Sequence, residues 1–509
     1  MNRQRNSRAA CCFVSVLLML MASLLIGSLP ASFADRPNIL LIVSEDNGPE
    51  LGCYGEPFVR TPVLDKLAEN GVRFHNAFVP QAGCSQSRAA LLTGLYPHQN
   101  GQIGLATWKF RMYHEDTPNL VRCLKHAGYR TGIIGKLHIN PASAFPFDMT
   151  QIPSSNFSRK KLGDYARYAK AFFDAADEPF FLSVNFPDAH RPFLTSVNGS
   201  PANPLTASDV KPIAYFGLDH PELRKQTADY YNCLSRLDSQ VGDLLAALRA
   251  SGKEGQTLVV YMGDHGADML RGKRTSYEGG VRIPLIMAWP RNIKSGHVSN
   301  ALVSTLDLMP TFLEAAKAEP VDGLSGISLL PLLGGQTESV RKYLFTEYHT
   351  HSAHNFYPQR TVRDERYKLI CNLMPDTVNP GYEYTRTKFF DELRDVVSNA
   401  QEPMRSSYES MECPPEYELY DLQTDPYEFR NLADDATHSA TFARLKTQLA
   451  QWRNRTNDPL LETDNLKRLK AEIDTCMTDG QAVKANLNLT YPEYFFTETS
   501  NRNSGSVIE

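Results

Sequence analysis

The chain has 509 residues, a length that suits two or three domains. Hydrophobic residues make up 42% and charged residues 22%, the balance of an ordinary globular protein with a packed core. The formal net charge is −4 and no long basic run occurs, which argues against nucleic acid as the main partner. An anionic substrate would have to be met by a local basic pocket.

At the N-terminus Arg3, Arg5 and Arg8 precede an apolar run from about Cys11 to Leu29. Ser32-Phe33-Ala34 then places small residues at the usual cleavage positions. This order predicts a secretory signal peptide over residues 1–34, with a mature chain exported to a periplasmic, secreted or lysosome-like compartment. The alternative is an uncleaved anchor; no later segment is long and apolar enough to span a membrane, so none is expected after cleavage. Of the nine cysteines, Cys11 and Cys12 leave with the signal. The seven that remain are odd in number, and Cys84 is the candidate without a partner. The other six could pair or stay reduced in the core.

Downstream, Asn38-Ile-Leu-Leu-Ile-Val43 is a continuous apolar run, as a strand buried on both faces should be. Residues 131–134, 179–185, 257–262 and 283–288 read the same way. Helical patterns lie between them, at 61–70 and 228–250. The alternation predicts an α/β domain over residues 35–355: a large, mixed, mostly parallel sheet flanked by helices. A short strand is expected at 343–347. After about residue 355 come two short strands within 361–370 around an Asp-Glu turn, another at 418–422, and an amphipathic helix at 440–453. Residues 356–509 therefore read as a smaller α+β domain, ending in a polar tail from about Asn501. Asn156, Asn198, Asn454 and Asn488 lie in glycosylation sequons.

In open α/β sheets, ligands bind beyond the carboxyl ends of the strands. Four of the apolar runs end in reactive residues: Glu45-Asp46, then Lys136 and His138, then Asp188 and His190, then Asp264-His265. One such pair could be a strand-end turn or a helix cap. Four together bring acids, imidazoles and a lysine to one sheet edge, which is how an active site looks in sequence. Glu45, Asp46 and Asp264 suit a hard divalent cation such as calcium or magnesium, and His265 could add a nitrogen or line the site.

Residues 84–94 read Cys-Ser-Gln-Ser-Arg-Ala-Ala-Leu-Leu-Thr-Gly. This stretch resembles the signature of the formylglycine sulfatases of the alkaline phosphatase superfamily, in which the cysteine is oxidised to an aldehyde. The other family motifs occur in order: the acidic pair Glu45-Asp46, Gly135-Lys136-Leu137-His138, Asp264-His265-Gly266, Gly272-Lys273, Tyr277 to Gly280, and Glu418 to Leu422 with Asp425-Pro426. Two positions depart from the pattern. Gln86 stands where Pro or Ala is usual, and Glu45 where the first Asp is usual. Within the family the chain is most similar to the sulfamidase branch, the N-sulfoglucosamine sulfohydrolases of heparan sulfate breakdown. The similar stretches are 76–78, 97–101, 132–136 and 357–360.

The resemblance implies an alkaline-phosphatase-like fold, a sulfated saccharide substrate, one calcium ion, and a formylglycine-generating enzyme as maturation partner. It also admits a homodimer. It implies catalytic roles for Cys84, Arg88, Lys136, His138, His190 and Lys273, and metal ligation by Glu45, Asp46, Cys84, Asp264 and His265. Hydrated formylglycine would attack sulfur, and Arg88, Lys136 and Lys273 would offset the sulfuryl charge. His190, or Lys273 near it, would protonate the leaving group, and His138 would take a proton as the aldehyde reforms. His349, His351 and Arg360 are candidates to read the sugar. Three alternatives stay open: an O-sulfatase on another sulfated polysaccharide, a phosphate or phosphonate ester hydrolase of the same fold, and a non-catalytic glycan-binding relative if Cys84 is not converted.

Overall fold

The structure, a computed structural model, describes residues 36–496 apart from 176, 291, 376, 381–389 and 479–480. The signal peptide expected at 1–34 and the polar tail from 501 lie outside the described residues.

Eight strands form the main sheet: β1 (Asn38–Ser44), β2 (Val72–Phe78), β3 (Arg130–Gly135), β4 (Met149–Gln151), β5 (Phe180–Phe186), β6 (Thr257–Gly263), β7 (Arg282–Ala288) and β8 (His297–Ser304). Their order is β4-β3-β5-β1-β6-β7-β2-β8. The first five in that order are parallel, β7 runs antiparallel to β6 and β2, and β8 is parallel to β2. The sheet is therefore mixed and mostly parallel, an alkaline-phosphatase-like arrangement.

β1 sits at its centre, and its sequence shows why. All seven of its residues are buried. Successive side chains point to opposite faces. Leu40 and Ile42 enter one core with the helices Pro62–Glu69, Asp164–Asp174 and Pro221–Ala250. Ile39, Leu41 and Val43 enter the other with Cys84–Thr93, Leu120–His126 and Leu308–Ala315. A strand covered on both sides has no polar face to show, so it reads as an unbroken apolar run. The helix expected at 228–250 starts seven residues earlier, at Pro221, where His220 caps the first turn.

A second, antiparallel sheet has the order β12-β11-β10-β9. Its strands are β9 (Leu344–Tyr348), β10 (Gln359–Arg363), β11 (Tyr367–Asn372) and β12 (Tyr417–Asp421). β9 precedes the division drawn at 355/356. The helix Ser439–Arg455 covers the sheet with Leu445, Leu449 and Trp452, the indole stacking on Phe345 at 5.1 Å. The cysteines Cys53, Cys84, Cys123, Cys233, Cys371, Cys413 and Cys476 are all free thiols. Among the described residues no helix is long and apolar enough to cross a membrane.

Candidate active site

Because β3, β5, β1 and β6 are parallel neighbours, their carboxyl ends share one edge. Backbone bonds bind the segments that leave it. The Asp264 N–H donates to the Ser44 carbonyl at 2.9 Å, and the Glu45 N–H to the Asp188 carbonyl at 3.1 Å. The Asp46 N–H donates to Asp264 Oδ1 at 2.9 Å. Asp46 and His138 both hold left-handed backbones, φ 51° and 59°. For non-glycine residues each costs on the order of 1 kcal/mol or more, the kind of strain kept at functional sites.

Two motif glycines have steric reasons. Gly135, with φ 94°, turns the chain from β3 into Lys136, and a Cβ there would stand 2.2 Å from the Asn185 carbonyl oxygen. At Gly266 a Cβ would lie 1.8 Å from the Gly279 carbonyl oxygen.

Cys84 opens the helix Cys84–Thr93, which stops at Gly94 with φ 65°. Gly83 precedes it and supplies no side-chain cap, so the first amide groups face the site unanswered by a side chain. One turn on, Arg88 Nη2 and Nε donate to Asp264 Oδ2 at 3.0 and 3.2 Å, and Nη1 donates to Asn185 Oδ1 at 2.6 Å. Lys136 Nζ lies 3.0 Å from Glu45 Oε2. Lys273 Nζ reaches both Asp46 oxygens, at 3.0 and 3.1 Å. His265 Nε2 stands 3.3 Å from Cys84 Sγ and 3.3 Å from Asp46 Oδ1, while its Nδ1 donates to the Gly266 carbonyl at 2.9 Å. His190 Nδ1 is held by the Arg191 carbonyl at 2.6 Å, and its ring stacks on Phe157 at 3.9 Å.

These charges tune one another. Burial alone would raise the Cys84 thiol, but Lys136, Lys273 and His265 hold it well below its ordinary value. Burial would lower His265, yet Asp264, Cys84 and Asp46 push it up to about 9. His138 goes down to about 4, through burial and Lys136. Glu45 is raised, because burial outweighs Lys136 and Arg88.

A cation suits this donor set. Three buried carboxylates, Glu45, Asp46 and Asp264, converge with a thiol and an imidazole, and Glu45 Oε1 is buried with no hydrogen-bond partner. Among the described residues two triads bring their ligand atoms within 4.8 Å of one another: Glu45, Cys84 and His190, and Asp46, Cys84 and His265.

Of the residues expected to read a sugar, only His351 belongs to this environment. It is buried, its Nδ1 has no partner, and Lys273, Arg274, Cys84 and His265 all act on its charge. Arg360 and His349 correct the expectation. Arg360 is wholly buried and donates to Asp458 at 2.7 and 2.9 Å, with His349 Nε2 3.0 Å away. His349 Nδ1 faces Gln81 Oε1 at 3.2 Å. Both belong to the framework under the second sheet. Sequence reasoning missed Asn185 and Phe157. A polar residue ending the apolar run of β5 was a usable sign for Asn185; nothing marked Phe157, which stacks on His190 from a loop.

The family model described as Sulfatase matches residues 37–318, and one described as N-sulphoglucosamine sulphohydrolase, C-terminal, matches 263–403. The chain belongs to the sulfatase family. The enzyme is thus a sulfuric ester hydrolase. It is 33% identical over 469 residues to human N-sulphoglucosamine sulphohydrolase, covering 83% of this chain and 91% of that one. To an ulvan-active sulfatase of Formosa agariphila it is 29% identical over 453 residues, covering 85% and 83%. A solved structure in complex with its substrate D-glucosamine-2-N,6-O-disulfate shares the fold, with a TM-score of 0.61 and 20% identity over 83% of this chain and 99% of that one.

Proposed function

We propose that this sulfatase removes sulfate from a sulfated glycan, with terminal N-sulfoglucosamine as its substrate and Cys84, converted to formylglycine, as its nucleophile. The observation that carries the reading is the seat of Cys84: a helix N-terminus ringed by Arg88, Lys136, Lys273, His138, His190 and His265. The likeness to N-sulphoglucosamine sulphohydrolase supports the choice of sugar. The order of residues 1–34 supports export, and conversion of Cys84 requires a formylglycine-generating enzyme as maturation partner.

Glu45, Asp46, Asp264 and His265 would hold a divalent cation, calcium by the chemistry of its oxygen donors. When bound, such an ion polarises oxygen and offsets negative charge. The chain's own groups do the rest. Lys136, Lys273 and Arg88 lie in a buried setting, where cations stabilise sulfuryl oxygens far better than in water. His190, with Nδ1 fixed by a carbonyl, leaves Nε2 to pass a proton to the departing nitrogen or oxygen. His138 is neutral near pH 7 and hydrogen-bonds Cys84, so its ring can accept the proton released as the aldehyde reforms. His351 is the residue suited to meet the sugar.

The test offers N-sulfoglucosamine, glucosamine-6-sulfate and a sulfated galactose side by side and measures free sulfate. Release from the N-sulfated sugar is expected. Release only from an O-sulfated sugar would remove the substrate assignment and leave the family intact. The likeness to the ulvan-active enzyme favours that second reading, another sulfated polysaccharide.

A further inference from the structure

We propose that the chain whose Cys84 is still a thiol carries a zinc-class metal site made by Cys84 Sγ, His265 Nε2 and Asp46 Oδ1. The proposal concerns the chain before conversion and does not depend on the sugar.

The distances carry it. Sγ to Nε2 and Nε2 to Oδ1 are each 3.3 Å. A tetrahedral zinc ion, with bonds of about 2.3 Å to sulfur and about 2.0–2.1 Å to nitrogen and oxygen, sets neighbouring donors roughly 3.4–3.6 Å apart. The observed edges fall within a few tenths of an ångström of that span. The imidazole is also set for ligation. The Gly266 carbonyl can only accept, so Nδ1 carries a hydrogen; Nε2 is the nitrogen turned to the sulfur and the carboxylate, and the ion displaces its proton to solvent on binding. A backbone carbonyl on the far nitrogen is the usual outer partner of a metal-bound histidine. Glu45 meets the same sulfur in a separate triad with His190, so the fourth position of the ion is left to water. Lys273, now on Asp46, has Asp268 Oδ2 3.9 Å away as a second counter-charge when a cation takes its place.

The chemical consequence is a change of metal class with maturation. A thiolate and an imidazole select zinc or cobalt, whereas carboxylates and hydroxyls select calcium or magnesium. Replacing the sulfur by oxygen therefore turns one pocket from a soft-donor site into a hard one. The unconverted chain would hold zinc and be hydrolytically silent.

The test uses the full chain produced without a maturation enzyme, with Cys84 verified as a thiol by peptide mass. Cobalt is titrated in as the spectroscopic probe. One equivalent giving a thiolate-to-cobalt charge-transfer band and the intense visible bands of a four-coordinate ion is expected. Cys84→Ser should abolish the charge-transfer band and weaken zinc binding by more than about 100-fold, the upper end of the cost of losing only an outer partner. This variant keeps the other thiols, including exposed Cys413, so it also controls for stray binding. Should the variant not fold, zinc X-ray absorption on the wild-type thiol form decides: a sulfur neighbour at about 2.3 Å supports the site. No bound metal, a shell of nitrogen and oxygen alone, or a sulfur signal that survives Cys84→Ser would overturn it. Sulfatase activity of the converted enzyme is a separate readout, so failure here would leave the proposed reaction standing.

Discussion

Two of the clusters of buried charge in this molecule are built differently. At the edge of the main sheet, Glu45, Asp46 and Asp264 meet Arg88, Lys136, Lys273 and His265. Beneath the second sheet, Glu347 and Asp458 meet His98, Arg360 and Arg453. The second cluster answers itself. His98 binds Glu347 through its backbone N–H at 2.9 Å and its Nδ1 at 2.6 Å, and Asp458 accepts from Arg360 and Arg453. The first leaves Glu45 Oε1 and His138 Nδ1 without a hydrogen bond, Arg88 standing 3.7 Å from that oxygen, and bends Asp46 and His138 into left-handed backbones. Burial pushes on both glutamates, yet Glu45 ends raised and Glu347 falls to about 2. Buried charge by itself thus marks no active site; what sets the first cluster apart is that acids, bases and a thiol meet there at one sheet edge.

Substitutions should separate the clusters. The largest effect is expected from Cys84→Ala: sulfate release should fall by roughly 10⁴-fold or more, with little change in melting temperature. Activity comparable to wild type in the purified variant would end the nucleophile assignment. Arg360→Ala should do the reverse. Stripping one partner from a buried pair costs about 3–5 kcal/mol of folding stability, read by urea denaturation. Turnover per folded molecule should stay near wild type; lost turnover at full stability would return Arg360 to the active site.

Acid should cost the second cluster stability through Glu347. Burial raises Glu347, but His98, His349 and Arg360 together bring it from 4.5 down to about 2. A depressed carboxyl adds stability above its unfolded pKa and loses it as pH falls, here between 4.5 and about 2. The shift is worth about 3 kcal/mol. Glu347→Gln should flatten that limb of a stability–pH curve, and an unchanged limb would count against the pairing.

Removing the cation should act on the first cluster alone. Exhaustive chelation should slow sulfate release and cost about 2–3 kcal/mol if the ion was present at 100 times its dissociation constant. The smallest change is expected at His351→Asn, a several-fold rise in KM with kcat and stability held. A fall in kcat alone would instead place His351 among the proton-transferring groups.

The central strands and their reactive ends were legible because the information is local. An apolar run states that a segment is buried on both faces, and the residues after it state what emerges at the edge. β2 and β8 were not legible. β2 carries a register shift between Phe74 and Ala77 and exposes His75, so its alternation breaks. β8 lies at the sheet edge, where polar residues are tolerated.

By itself, then, the sequence determined the buried strands, the sulfatase signature that begins at Cys84, and the set of acids and bases on one sheet edge. Only the tertiary structure decided which charges answer which. Lys273 meets Asp46 across 227 residues of chain, and Arg360 meets Asp458 across 98. A side chain's spacing in sequence records its secondary structure. Its electrostatic partner is whatever the packed sheets and loops bring within about 3 Å, and no local pattern encodes that distance.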